Sequence, residues 1–308
     1  MAAADLAHAP LCLAPDGEPR PPRVALPRGA CDCHAHICGP AAVYPYVAER
    51  IYTPPDATLD AYRRLLGTLG VERAVLVQPS VYGEDNRAML AALAAAGAGF
   101  RAVAVVAPTI TTQEIEALHH AGVRGVRLNI VDRREGRNIV PVEIVRALAA
   151  RLAPFGWHLE FLVNLDEAPD FAGVVANLPV PIVLGHLGYP RAGARAFLAG
   201  SAFADFLRLL AGGRCWVKLT GPYRISQAPD LPYEDVGPLA AALVAHSPER
   251  LIWGSDWPHV MMKKPMPNDG RLADLLARWV PDAAIRKRIL VDNPAALYGF
   301  GPDERIAS

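Results

Sequence analysis

The chain has 308 residues, 52% hydrophobic and 20% charged, enough apolar surface for one large α/β domain or two smaller ones. Its 31 basic and 31 acidic residues cancel, so no basic field points to nucleic acid. With no run of about 18 apolar residues and no charged leader before an apolar stretch, neither a membrane span nor a secretion signal is expected, and a cytoplasmic protein is.

Residues 1–28 are rich in Ala and Pro and read as a tail. The run 29–33 then reads as a strand, closed by a Gly39-Pro40 break. Residues two apart on a strand point to the same side, so His34 and His36 present two imidazoles to one spot. That pair suits a metal ion or the oxygen of a polarised carbonyl. The loop 43–55 carries Tyr44, Tyr46 and Tyr52 and is a candidate lid or pocket wall. The five cysteines are Cys12, Cys31, Cys33, Cys38 and Cys215. Their odd number and unpaired spacing exclude a disulfide scaffold or zinc ribbon, and they read as small apolar fillers in a reducing compartment.

From residue 59 onward, helices alternate with short apolar strands. Helical periodicity at 59–69, 86–95, 112–120 and 143–152 precedes strands at 74–77, 102–106, 125–128 and 158–161. A segment at 171–175, then helices at 194–210 and 236–245, precede strands at 181–184, 215–218 and 251–254, and a last helix at 271–279 leads into a helical tail. Continuous apolar strands alternating with helices mean a parallel sheet buried on both faces. Eight such units in this length predict a single (β/α)8 TIM barrel over 29–301, with tails at 1–28 and 302–308. A doubly wound open sheet is the alternative, but no Gly-x-Gly-x-x-Gly follows the first strand.

In such a barrel the C-terminal strand ends converge on one mouth. They deliver His34 and His36, then Ser80, Arg127 with Arg133 in its loop, His186, Lys218 with Arg224 beyond it, and Asp256 with His259. The other five of the nine histidines fall on helices, tails or strand starts. Asp256, opposite the first strand in a closed ring, is a candidate catalytic carboxylate. Arg127 and Arg224 suit a substrate carboxylate. Lys218 reads as an ion-pair partner in the barrel interior, outside the site.

Asp-x-His-x-His at 32–36, Gly-His-Leu-Gly at 185–188 and Trp-Gly-Ser-Asp-Trp-Pro-His at 253–259 together resemble the amidohydrolase superfamily. Within it the chain is similar to the branch of 2-pyrone-4,6-dicarboxylate lactonase and the sugar-acid lactonases. Tyr-Pro-Tyr at 44–46, Arg-Gly-Val-Arg-Leu-Asn at 124–129, Gly-Trp-His at 156–158 and Lys-Leu-Thr-Gly-Pro-Tyr-Arg at 218–224 extend the likeness over about 27–300. The resemblance implies that Asp256 is the general base and that His34, His36 and His186 line the reacting carbonyl. It implies substrate contacts from Arg127, Arg133, Arg224, Tyr52, Ser80 and His259. Two positions depart from the dicarboxylate lactonase: Leu162 replaces a tyrosine and Met261 an asparagine, which removes polar donors and points to a different substrate.

Many superfamily members hold two metals through a carboxylated lysine on the fourth strand; Arg127 and Asn129 stand there instead. The site is therefore expected either to need no cofactor or to hold a single divalent ion such as zinc on His34, His36, His186 and Asp256. The expected substrate is a small acidic lactone, with a zinc-dependent decarboxylase, a lactone isomerase or an inactive binding scaffold as alternatives. Neither a nucleic-acid nor a membrane partner is expected, and no helix distinguishes a monomer from a homo-oligomer.

Overall fold

The computed structural model describes residues 9–132 and 136–306. Eight parallel strands form one sheet in sequential order. They are β1 (Cys31–Ala35), β2 (Arg73–Val77), β3 (Phe100–Ala104), β4 (Val123–Asn129), β5 (His158–Leu162), β6 (Ile182–Leu184), β7 (Cys215–Leu219) and β8 (Leu251–Trp253). The ring is the expected TIM barrel. Its closing seam lies just beyond β8, where Asp256 N–H donates to His34 O at 2.9 Å and His36 N–H to Trp257 O at 2.8 Å. The buried Asp32 carboxylate reinforces this seam, accepting from Ser255 N–H (2.9 Å), Ser255 Oγ–H, Tyr62 O–H (2.9 Å) and His34 N–H (3.1 Å). The stitches that close the barrel therefore also fix the residues of its mouth.

Around the barrel run α1 (Leu59–Leu69), α2 (Arg87–Ala96), α3 (Thr112–His120), α4 (Val142–Leu152), α5 (Phe171–Val175), α6 (Ala194–Ala199), α7 (Ser201–Ala211) and α8 (Gly237–His246). After β8 come α9 (Asp269–Trp279), α10 (Ala283–Lys287) and α11 (Asn293–Tyr298), the helical tail read from the sequence. Local chemistry explains the boundaries. Thr58 caps α1 by accepting from Ala61 N–H, Gly70 ends it in the left-handed region, and Thr111 with Glu114 forms a capping box on α3. Tyr62, Leu65, Leu66 and Leu69 put the buried stripe of α1 on the sheet. The single helix expected at 194–210 is two helices, because Gly200 takes an extended backbone (φ −92°, ψ 162°) that breaks the ladder.

Two apolar layers result. Strand residues facing out, such as Leu76, Phe161 and Leu184, pack with the helices. Those facing in, including Cys31, Cys33, Val75, Val183 and Ile252, fill the lower barrel with Tyr298 and Phe300. All five cysteines are unpaired, and four of them are buried, as filler residues would be.

The described part of each tail is docked. Cys12 N–H donates to Thr53 O at 2.8 Å and Thr53 N–H to Pro10 O at 2.8 Å, which ties the first segment to the loop after β1. At the opposite end of the barrel, Ile306 N–H donates to Glu72 O, and Arg101 pairs with Glu304 at 2.6 Å. Among the described residues no helix is long and apolar enough to cross a membrane.

Candidate active site

The mouth gathers what β1, β6, β7 and β8 deliver. The His34 and His36 rings lie 5.0 Å apart, and His34 and His186 lie 5.2 Å apart. Asp256, wholly buried, stands between them and β7. Its Oδ2 accepts from Tyr223 O–H and from Arg224 Nε–H, both at 2.6 Å. Its Oδ1 faces His34 Nε2 at 3.6 Å, and neither atom has a hydrogen-bond partner among the described residues. Buried polar atoms are rarely left so, which marks this gap as the place where a reacting group fits.

Each histidine is oriented from behind. His36 Nδ1 donates to Val77 O at 2.8 Å, and His186 Nδ1 lies 2.9 Å from Thr220 Oγ1. Burial lowers all three imidazoles. His36, with Arg127 adding to the effect, falls to about 4, and His186 falls to about 3; His34, beside Lys218, falls well below its ordinary value. All three are neutral at pH 7. Burial alone would raise the Asp256 carboxyl, but the Arg224 guanidinium outweighs it and holds it well below the usual carboxylate range. Burial and the Asp256 charge push the Tyr223 phenol well up, so it remains a donor.

Backbone strain concentrates here. His186 (φ 50°), Tyr189 (φ 49°), Asp256 (φ 68°) and Met261 (φ 60°) all occupy the left-handed region. Gly221 (φ 53°) is required twice over, since a Cβ there would stand 2.8 Å from Asp256 Oδ2 and 2.9 Å from His186 Nδ1.

Above Asp256, a small chamber is walled by His36, Tyr52, Ser80, Arg127, Leu162 and His186. It shares Asp132, Tyr189, Arg224 and Met261 with an outer cavity of about 520 Å³. Arg127 is buried, with one guanidinium N–H on Gln78 O at 2.9 Å, and Ser80 Oγ–H points at Tyr52 Oη at 3.4 Å. Leu162 and Met261, the two departures noted in the sequence, both sit in the chamber wall. In the loop 43–55, Tyr52 reaches the chamber, while Tyr44 and Tyr46 pack with Val81 and Tyr82 behind it.

His34, His36, His186, Asp256, Arg127, Arg224, Tyr52 and Ser80 thus come together. Arg133 lies outside the described residues. His259, expected as a substrate contact, is not at the wall. It is wholly buried, with Nδ1 2.9 Å from Tyr223 Oη and Nε2 3.1 Å from Asp269 Oδ1, so it orients Tyr223 instead. Arg224, expected as a substrate clamp, spends its Nε–H on Asp256. Tyr223 and Thr220 were missed, although both lie in the 218–224 motif; a motif gives proximity, not which atom meets which. Lys218 is the interior ion-pair partner it was read to be, 2.7 Å from Glu160.

Donor atoms of His34, His36 and Asp256 lie within 4.8 Å of one another, close enough for one ion; His186 is outside that set. The cations around them are Arg224 on Asp256, Lys218 at 3.1 Å from His34 Nδ1, and Arg127 beside His36; the carboxylates are Glu160 at 3.5 Å from His34 Nδ1, Asp32 behind His34, and Asp132 in the chamber wall.

A closed parallel barrel that focuses histidines and an ionised aspartate at its C-terminal mouth belongs to the class of barrel enzymes. The chain is a member of the amidohydrolase family, whose model, described as Amidohydrolase, matches residues 31–300. It is 38% identical to a 4-sulfomuconolactone hydrolase of Rhizobium radiobacter, over 97% of this chain and 99% of that one. It is 36% identical to a 2-pyrone-4,6-dicarboxylate hydrolase of Comamonas testosteroni, over 91% and 93%. A D-galactarolactone isomerase of Agrobacterium fabrum is 33% identical over 91% and 94%.

Proposed function

We propose that the protein hydrolyses the ring ester of a small acidic lactone, with Asp256 as general base. The observation that carries this reading is the gap between His34 Nε2 and Asp256 Oδ1, two buried, unpartnered atoms 3.6 Å apart under a chamber flanked by Arg127. Relatives named for lactone hydrolysis at 36–38% identity support the reaction class.

Tyr223 and Arg224 occupy Oδ2 of Asp256, leaving Oδ1 to take a proton from water. The water oxygen forms a bond to the lactone carbonyl carbon, and the developing oxyanion is stabilised by an N–H donor of the histidine cluster. The ring carbon–oxygen bond then breaks, and Asp256 returns the proton to the leaving ring oxygen. Arg127, with Tyr52 and Ser80 in the same wall, holds a carboxylate of the substrate. Leu162 and Met261 favour an apolar or larger substituent where the dicarboxylate lactonases place donors.

This reaction routes no step through a metal. His34, His36 and Asp256 are close enough to hold one ion, which when bound would supply Lewis-acid polarisation of the carbonyl. Five unpaired cysteines suit a reducing, cytoplasmic setting.

The test is a pH-indicator assay on 2-pyrone-4,6-dicarboxylate, 4-sulfomuconolactone and D-galactarolactone, with and without chelator. Proton release that survives the chelator is expected for at least one. Release of carbon dioxide would replace this reading with a decarboxylase, and loss of hydrolysis with the chelator would make the protein a metal-dependent lactonase. The isomerase relative makes acyl migration within one molecule the second reading; failure to incorporate ¹⁸O from labelled water during turnover would establish it.

A further inference from the structure

We infer that Lys218, anchored by Glu160, fixes His34 as its Nε2–H tautomer and thereby makes His34 the hydrogen-bond donor to the lactone carbonyl oxygen. This rests on the lactonase reading for the identity of the acceptor, but not for the tautomer. Lys218 on β7 is wholly buried, with Nζ 2.7 Å from Glu160 Oε2 and 3.1 Å from His34 Nδ1. A lysine ammonium has three donors and no acceptor, so His34 Nδ1 must offer its lone pair. A neutral imidazole has one N–H, which then sits on Nε2 and points into the gap toward Asp256 Oδ1. Glu160 Oε1 would favour the opposite arrangement, but at 3.5 Å from His34 Nδ1 it is beyond good hydrogen-bond reach, and Lys218 is nearer.

His36 is fixed the other way. The Val77 carbonyl only accepts, so the His36 proton is on Nδ1 and its Nε2 carries a lone pair. The two histidines of one motif thus have opposite roles, one donating into the site and one accepting. Ligation of an ion by His34 Nε2 would require loss of the very proton that Lys218 places there. Lys218 and Glu160 never touch substrate; they are positioning residues acting through His34.

The experiment is the multiple-bond ¹H–¹⁵N spectrum of ¹⁵N-histidine-labelled protein, with His34 assigned by its loss in His34→Gln. The expected pattern is Nε2–H for His34 and Nδ1–H for His36. Lys218→Met alone strands a buried carboxylate, so the comparison is the double variant Lys218→Met/Glu160→Leu, which replaces the pair with apolar groups. In it His34 should become a tautomer mixture. On the panel lactone turned over fastest, kcat should fall about 100-fold, the size of losing one oxyanion donor, with KM near wild type. A wild-type His34 protonated on Nδ1 overturns the proposal. So does a folded double variant with unchanged tautomer or unchanged kcat, the result for a pair that only fills the barrel. If the double variant does not fold, the wild-type spectrum decides. Inactivity of the wild type on every lactone would refute the lactonase reading, while the spectrum would still decide the tautomer.

Discussion

Replacing Arg224 with methionine separates two roles that the sequence alone merges. As a substrate clamp, its loss would raise KM and leave the pH profile alone. The structure gives it another role: Arg224 Nε–H is 2.6 Å from Asp256 Oδ2, and its charge is the foremost one holding that carboxyl down. At an effective dielectric near 20 and a charge separation of about 4 Å, the pair is worth about 4 kcal/mol. Its loss therefore raises the Asp256 pKa. Asp256, as the proposed base, is competent when ionised, so the acid limb of kcat/KM should move toward neutrality, while Arg224→Lys, which keeps the charge, should hold it near the wild-type position. Arg224→Met also strands a buried carboxylate, at a cost of about 3–5 kcal/mol, so rates are compared at a temperature where circular dichroism shows the variant folded. The assay is proton release from the panel lactone between pH 4 and 9. An unmoved limb with a raised KM would refute the reasoning and return Arg224 to the substrate.

Gly221→Ala should cost about 1–2 kcal/mol through its left-handed backbone. It should also lower kcat on the order of 100-fold, because the new Cβ would press on Asp256 Oδ2 and His186 Nδ1; a variant with wild-type kcat would show that the two can shift harmlessly. Acid should destabilise the fold below pH 6.5. His36 and His158 are held at about 4 and His186 at about 3, against an ordinary 6.5, so the unfolded chain binds more protons across that window. Each histidine contributes about 3 kcal/mol that is lost as pH falls from 6.5 to 4, while Asp32, pushed up to about 6 by burial, opposes them over part of the window. Urea midpoints at pH 7 and 4.5 measure the net loss, and equal midpoints would contradict it. Leu162→Tyr with Met261→Asn returns donors to the chamber and should raise the kcat/KM ratio of 2-pyrone-4,6-dicarboxylate to 4-sulfomuconolactone about 10-fold; an unchanged ratio would place specificity elsewhere.

The barrel was legible because buried parallel strands are short, apolar and evenly spaced, and because β1 ends in a His-x-His whose two-residue period puts both rings on one side. Asp256 was legible from its place at the end of the last strand, which the closed ring brings beside the first. What was not legible depends on which atom a side chain chooses. Arg224 and His259 were both read as facing substrate; Arg224 does line the chamber, but its Nε–H is drawn to a carboxylate 2.6 Å away, and the His259 ring is drawn to Tyr223 and Asp269. Tyr223 was hidden because an aromatic between a proline and an arginine gives no sign of where its hydroxyl ends. Gly200 divides a segment whose apolar periodicity runs on unbroken. Pattern predicts faces; partners come only with distances.

The most direct test of the central claim compares the wild type with Asp256→Asn in the proton-release assay, on chelator-treated protein with the lactone that turns over fastest. The account predicts wild-type turnover unaffected by the chelator and a fall of at least about 100-fold in the folded variant, the lower range for a general base. Near-normal hydrolysis by Asp256→Asn, or wild-type activity that vanishes with the chelator and returns with zinc, would contradict it.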